Sequence, residues 1–180
     1  GYAPSAVSTL LASIATKAAL YVLARILFTV FSGMLDVVTI ALSNVIVPLA
    51  VGGVFVGTIM AIYEADIKKL FAHSSVAQIG YIALGLGLGT PASVSAAFIH
   101  IGNHALIKGG IFMAIGGFVA ALGARASLDS LIGIGRRLPL TATAFLICGL
   151  SLVGLPLTAG FISKLYLVRA ILETESYVIL

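Results

Sequence analysis

Polar residues in this chain gather in short connections, and between them run long stretches of almost unbroken apolar sequence. Five stretches can be separated, at about 4–31, 44–63, 70–89, 92–122 and from 139 onward. Each reaches the ~20 residues that a helix needs to cross ~30 Å of hydrocarbon at 1.5 Å per residue. Strands of a membrane barrel would alternate apolar and polar side chains over about ten residues, and these stretches do not. Backbone N–H and C=O groups in lipid must be satisfied within the segment itself, which leaves helices. The pattern predicts an all-α fold: a polytopic transmembrane bundle of about five helices, with residues 1–180 forming one domain.

Composition sharpens the environment. Hydrophobic residues make up 61% of the chain, charged residues 9%, and mean hydropathy is +1.20. A soluble domain carries about 25% charged residues to dress its surface for water. This chain is instead solvated by lipid and by neighbouring protein. Its single cysteine, Cys148, cannot form an internal disulfide. The net charge of +4 comes largely from loop Lys and Arg, which makes it a topology signal rather than a nucleic-acid-binding one. Lys68 and Lys69 follow the second stretch, and Arg125, Arg136 and Arg137 precede the fifth, so both basic connections fall on one side. The other side holds GTPAS, without charge, and the stretch after Arg25, whose only further charge is Asp36. The positive-inside rule puts the basic connections in the cytoplasm, and the first helix then runs outward. The chain opens on Gly1 rather than Met, and ESYVIL stops as another apolar run starts, so a piece of a longer protein is expected.

Glycine pairs at Gly52-Gly53, Gly109-Gly110 and Gly116-Gly117 are expected at helix-packing seams, where small residues let backbones approach. GLGLGT, from Gly85 to Thr90, superficially resembles a phosphate loop. It ends a membrane helix, however, and lacks the strand before and helix after that a nucleotide site needs.

Several charges sit where a membrane protein does not spend them freely. Lys17 lies thirteen residues beyond Pro4, and Lys108 is equally central in the fourth stretch. Thirteen residues of helix rise about 20 Å, which is near the bilayer centre. A lysine there costs ~2.5–3.5 kcal/mol on insertion scales, so it faces a protein interior or a hydrated cavity. Snorkelling to the interface suits Arg25 and Arg169 but not these two. A low dielectric brings the charged and neutral forms of an ammonium closer in free energy, and imidazole already titrates near neutrality. FIHIGNHALIKGG places His100, His104 and Lys108 four residues apart, on one face and about 6 Å from turn to turn. Such a row suits a proton relay. The histidines could equally hydrogen-bond neighbouring helices, or share a metal ion, although no Cys, Asp or Glu in that helix completes a ligand set.

The fifth stretch contains LVGLPLTAGFISKLYL, with Gly154, Pro156, Gly160 and then Lys164. A straight helix from Pro139 to Lys164 would rise about 37 Å, more than the hydrocarbon thickness. Proline removes a donor and clashes with the preceding turn, so a break is expected at these residues. Broken membrane helices commonly line a hydrated site, which makes Lys164 a further candidate; a kink that only improves packing is the alternative. HSSVAQIGY adds His73, Ser74 and Gln78 near the basic end of the third helix. They could hydrate a route for protons to come in, or simply tie helices together.

DIKKLFAHSSVAQIGYIALG, HIGNHALIKGGIFM and GLPLTAGFISKLYL resemble successive signature stretches of antiporter-like membrane subunits. These subunits occur in respiratory complex I, in Mrp-type cation/proton antiporters and in membrane-bound hydrogenases. PSAVSTLLASIATKAALYVLAR resembles them too, and the likeness covers nearly all 180 residues in the right order. The family has about fourteen helices, with two inverted five-helix repeats, each holding one broken helix. The resemblance implies that this chain corresponds to about the eighth through twelfth. Lys17 then matches the eighth-helix lysine, His100, His104 and Lys108 the eleventh-helix relay, and Lys164 the charged residue at the twelfth-helix break, where some relatives carry Glu. Lys17 and its spacing from VS resemble the Mrp D-type subunit more than the largest complex I antiporter-like subunit. The family's fifth-helix glutamate and seventh-helix lysine have no counterpart here, so this piece alone is not expected to transport.

The resemblance implies proton translocation, with Na⁺ as an open second ion, by a non-redox subunit of a multisubunit complex in a bacterial or archaeal cell membrane. The expected partners are other membrane subunits, lipid and the transported ion, with no nucleic acid. No motif for flavin, Fe–S or haem is present, so no cofactor is expected and redox chemistry would fall to partner subunits. The chain shows no catalytic chemistry of its own, and a role as a proton-pumping part of an NADH:quinone oxidoreductase is one alternative. A reading of another class is an inert membrane scaffold whose buried charges only fix helix packing.

Overall fold

The computed structural model describes residues 4–31, 35–123 and 126–173, and within them it is helical, with one isolated bridge and no strand. Helix α1 spans Ser5–Val30 and carries two π-type turns, at Leu11–Ala15 and Ile26–Val30. Helix α2 spans Leu35–Ile62, α3 Ile67–Leu88 and α4 Pro91–Leu122. A short helix α5, Ile134–Arg137, precedes α6, Pro139–Val153, and α7, Ala159–Glu173. Four helical segments are each long and apolar enough to cross a membrane: α1, Ser43–Ile62 of α2, α3 and α4. A fifth span is counted when Asp129–Arg137 and α6, bent by 119°, are taken together, and beyond α6 the chain breaks before α7. Helices α6 and α7 have 15 residues each, or about 22 Å, too short to span hydrocarbon alone.

The second helix begins at Leu35, well before the polar Ser43-Asn44 pair at which the sequence pattern starts it. The hydroxyl of Ser43 is satisfied by the Gly87 carbonyl at 3.0 Å, so a polar side chain stays inside the helix. Helix ends follow local chemistry. The Asp66 carboxylate accepts from the amides of Lys68 and Lys69, capping α3. Gly89, left-handed at φ 69°, ends α3, and Thr90 with Ser93 forms a reciprocal cap on α4. The GLGLGT stretch is therefore a helix end and a helix start.

The two basic connections meet. The Ile67 amide donates to the Ala126 carbonyl and the Leu128 amide to the Ala65 carbonyl, clasping both at one end of the bundle. Lys68 Nζ donates to Ser5 Oγ at 3.2 Å, so α1 starts at that same end. Asp129–Arg137 turns 119° relative to α6 and runs across the end rather than through it. Arg125 and the side chain of Asp36 lie outside the described residues.

Packing is close where glycine permits. A Cβ on Gly80 of α3 would come 2.7 Å from the Ala50 carbonyl oxygen of α2. On α4, Gly109 and Gly116 face Ser13 and Ser5 of α1, while Gly110 and Gly117 face Cys148 and Thr141 of α6. Seven residues are about two helical turns, so each pair forms a stripe, and α4 wedges between α1 and α6. Gly52 and Gly53 differ from expectation: neither has an atom near its missing Cβ, so they mark no seam among the described residues. Apolar clusters join α1 to α3 and α4, and α2 to α3, α4 and α7, leaving α3 and α4 at the centre.

Candidate functional site

The polar interior lies along the face that α4 turns toward α3 and α7. His100, His104 and Lys108 are 4%, 1% and 0% exposed. Their four-residue spacing stacks the two imidazoles, with centroids 6.0 Å apart and planes 10° from parallel. His100 bridges two other helices: Nε2 is 3.0 Å from Gln78 Oε1 on α3, and Nδ1 is 2.9 Å from Ser163 Oγ on α7. With the amide oxygen as acceptor, the network assigns the proton of a neutral ring to Nε2, and Nδ1 then accepts from the Ser163 hydroxyl. A second proton on the ring would reverse that bond. Ser163 would accept from Nδ1 and donate to the Gly160 carbonyl, 3.1 Å away. One hydroxyl thus serves both charge states of His100.

His104 is different: neither ring nitrogen has a hydrogen-bond partner among the described residues. Lys108 is satisfied, donating to the Phe71 carbonyl and to Ser74 Oγ, both at 2.6 Å, with Nζ 5.1 Å from the Phe71 ring centroid. Lys17, 5% exposed, donates to the Ala12 carbonyl inside the first π-type turn of α1. Among the described residues the carboxylates stand at the bundle ends (Glu64, Asp66 and Asp129 at the basic end, Glu173 at the other), so carbonyls and hydroxyls, not counter-ions, hold the buried ammoniums.

Lys164 is placed by the break. Helix α6 stops at Val153 with Gly154 left-handed at φ 93°, and Leu157 is also left-handed at φ 74°. In a continuous helix the residue at 156 would donate to the Leu152 carbonyl, but Pro156 has no N–H to give. Lys164 Nζ takes up the freed acceptors, 2.9 Å from the Leu152 carbonyl and 3.0 Å from that of Val153. A cation at a helix C-terminus also meets the negative end of its dipole. Gly160 lies in α7 rather than in the break, where it lets the Ser151 carbonyl approach its Cα closely, and its amide donates to Ser151 Oγ. The Tyr81 ring stands between the two chemistries, 5.4 Å from Lys164 Nζ and edge-on to His100 at 6.2 Å.

Of the polar residues on α3, Ser74 and Gln78 touch Lys108 and His100 directly. His73 turns elsewhere, with Nε2 3.9 Å from a Glu64 carboxylate oxygen. Ser163, Tyr81, Phe71 and Asn103, whose amide donates to the Ala159 carbonyl, complete the site and were not singled out by sequence. Ser163 directly precedes Lys164 and Tyr81 closes HSSVAQIGY, so adjacency was a usable signal. Their partners on other helices were not readable.

A family model described as "NADH:quinone oxidoreductase/Mrp antiporter, TM" matches residues 2–180. The chain is 41% identical over 177 residues to NADH-quinone oxidoreductase subunit N of Desulforudis audaxviator (strain MP104C), covering 98% of this chain and 35% of that protein. It is 31% identical over 166 residues to NAD(P)H-quinone oxidoreductase subunit 2 of Gloeobacter violaceus, covering 92% and 31%. Its fold matches a chain in a structure of the Mrp complex from Dietzia sp. DQ12-45-1b with a TM-score of 0.88, at 30% identity over 98% of this chain and 32% of that one. The chain therefore spans about a third of the length of these relatives. With a match along nearly its whole length, it belongs to the NADH:quinone oxidoreductase/Mrp antiporter transmembrane family.

Proposed function

We propose that this chain forms part of a proton path across the membrane, in which Lys17, Lys108, His104, His100 and Lys164 take up and release protons in turn. The observation that carries the reading is His100, whose two ring nitrogens are both engaged, with a hydroxyl able to serve either protonation state. Beside it, His104 carries two ring nitrogens with no hydrogen-bond partner among the described residues. With no counter-ion beside the row among the described residues, a proton at one site raises the cost of a proton at the next, so charge moves along the row by repulsion. No electron acceptor is needed for such transfer, and redox chemistry belongs to partner subunits.

The finer question is which complex houses the subunit. An Mrp D-type assignment draws support from Lys17 and its spacing from VS, and from the Mrp structural match. The 41% identity to a subunit N favours an antiporter-like subunit of an NADH:quinone oxidoreductase, and that assignment is preferred here. The competing reading, an inert scaffold, draws on Lys164, which caps the broken helix as a purely structural lysine would.

The test is proton uptake by inverted vesicles carrying the full-length subunit in its complex, normalised to assembled subunit. Lys17→Ala and Lys108→Ala should each lower uptake about tenfold or more, equivalent to ~1.4 kcal/mol or more on the limiting step, with assembly retained. Unchanged uptake per assembled complex in both variants would overturn the relay.

A further inference from the structure

A groove of about 420 Å³ lies between the first turns of α4 and the last turns of α7, at the end of the bundle opposite the clasped basic connections. Ala92, Ala96, Ile99 and Ala170 give it apolar walls, small enough to leave room for a hydrocarbon chain between the helices. Arg169 and Glu173 stand at its outer end, and Tyr166 lies about one turn deeper. Apolar walls below and an aromatic and charged rim above match the place where hydrocarbon meets headgroups. The rim pair joins Arg169 Nε to Glu173 Oε1 at 3.3 Å, with the side chains 74% and 54% exposed.

The order of this pair runs against the helix that carries it. Glu173 ends α7, where the negative end of the helix dipole disfavours a carboxylate and favours a cation. At a spacing of four, the acid is better placed before the base, and here the base comes first. Local helix energetics do not account for the order, whereas a ligand that reads it does. Four residues of helix set Glu173 about 6 Å further out than Arg169. In a phospholipid the phosphate adjoins the glycerol and the amine lies beyond it, so phosphate meets Arg169 and ammonium meets Glu173.

From the groove and the order of its charges we infer a binding site for a phospholipid with a phosphoethanolamine headgroup, one acyl chain lying between α4 and α7. The Arg169 guanidinium offers a planar fork of donors to the phosphate. A primary ammonium donates N–H bonds to the Glu173 carboxylate. A choline headgroup has no N–H to give, and a glycerol headgroup brings no cation at all, so both fit less well. The site is separate from the buried lysines and histidines and does not depend on the proton path.

The experiment uses the full-length subunit in its complex, in vesicles of phosphatidylethanolamine and phosphatidylglycerol. A trace of phosphatidylethanolamine carrying a diazirine in one acyl chain is compared with the matching phosphatidylcholine, and labelling is normalised to assembled subunit. The ethanolamine probe should label residues 91–99 and 166–173 about fivefold more strongly than the choline probe, the size expected for one well-placed ion pair at an exposed site. Exchanging the charges, Arg169→Glu with Glu173→Arg, keeps an ion pair and suits the helix better. It should nevertheless abolish the preference between probes, with the thermal unfolding of the complex no worse. Ser95→Trp, on the α4 wall, fills the groove without touching either charge and should lower labelling by both probes. Equal labelling by the two probes in the wild type would overturn the headgroup assignment, whatever the variants do. A preference that survives the exchange would overturn the reading of the charge order. Two helices unlabelled by either probe would mean that protein, not lipid, fills the groove.

Discussion

Lys164 is where the relay and the scaffold readings part, because both assign it work. Its ammonium makes two hydrogen bonds, to the carbonyls of Leu152 and Val153, at the C-terminus of α6. Replacing it by Met removes both donors and the charge while keeping most of the bulk and, like Gln, ending one bond short of Nζ. If each bond is worth the membrane average of ~0.6 kcal/mol, the structural loss is about 1 kcal/mol. If both carbonyls are left dry it approaches about 5 kcal/mol. Gln is shorter by one bond but brings an amide donor, so it recovers roughly half of that loss while remaining unable to carry a proton. The scaffold reading therefore orders the variants wild type, Gln, Met in both stability and transport. The relay reading gives the same order in stability but predicts that Gln and Met are equally dead in transport. Glu is a third probe. Its carboxylate would face two carbonyl oxygens, acceptor against acceptor, so Lys164→Glu should assemble worse than Gln. The measurements are thermal unfolding of the solubilised complex and proton uptake in inverted vesicles per assembled subunit. Near-normal uptake in Lys164→Gln would refute the reasoning and leave Lys164 a helix cap.

The seam between α2 and α3 should be intolerant of a side chain at its tightest point: Gly80→Val places a Cβ 2.7 Å from the Ala50 carbonyl oxygen and should cost about 1–3 kcal/mol, read as a lowered melting temperature, whereas an unchanged melting temperature would mean the helices do not meet there. The clasped basic connections should lie in the cytoplasm, so Asp129→Cys should resist an impermeant thiol reagent in intact cells and react in inverted vesicles; reaction in intact cells would reverse the orientation.

Hydropathy and spacing determined a good deal by themselves. Lipid permits only helices, so long apolar stretches yield the crossings directly, and a lysine near mid-membrane must be buried, so Lys17 and Lys108 stand out in a one-dimensional reading. Pro156 signals the break because its missing N–H is a local property, and the four-residue rows on α4 follow from helical geometry alone. Tertiary structure decided what each of those groups touches. His100 and Ser163 are 63 positions apart, and His100 and Gln78 are 22 apart, so no local periodicity pairs them. Gly109 and Gly110 look equivalent in sequence, yet one faces α1 and the other α6, because adjacent residues on a helix point about 100° apart. Gly52-Gly53 shows the converse: an identical pair that meets nothing within the described residues. Ser74 and Gln78 read in sequence as residues that hydrate a proton route or tie helices together, and their partners, Lys108 and His100, were set only once α3 and α4 were packed together. Burial and composition are summed along the chain and so survive in its sequence; hydrogen-bond partners are set by which helix faces meet, and that is fixed only when the bundle closes.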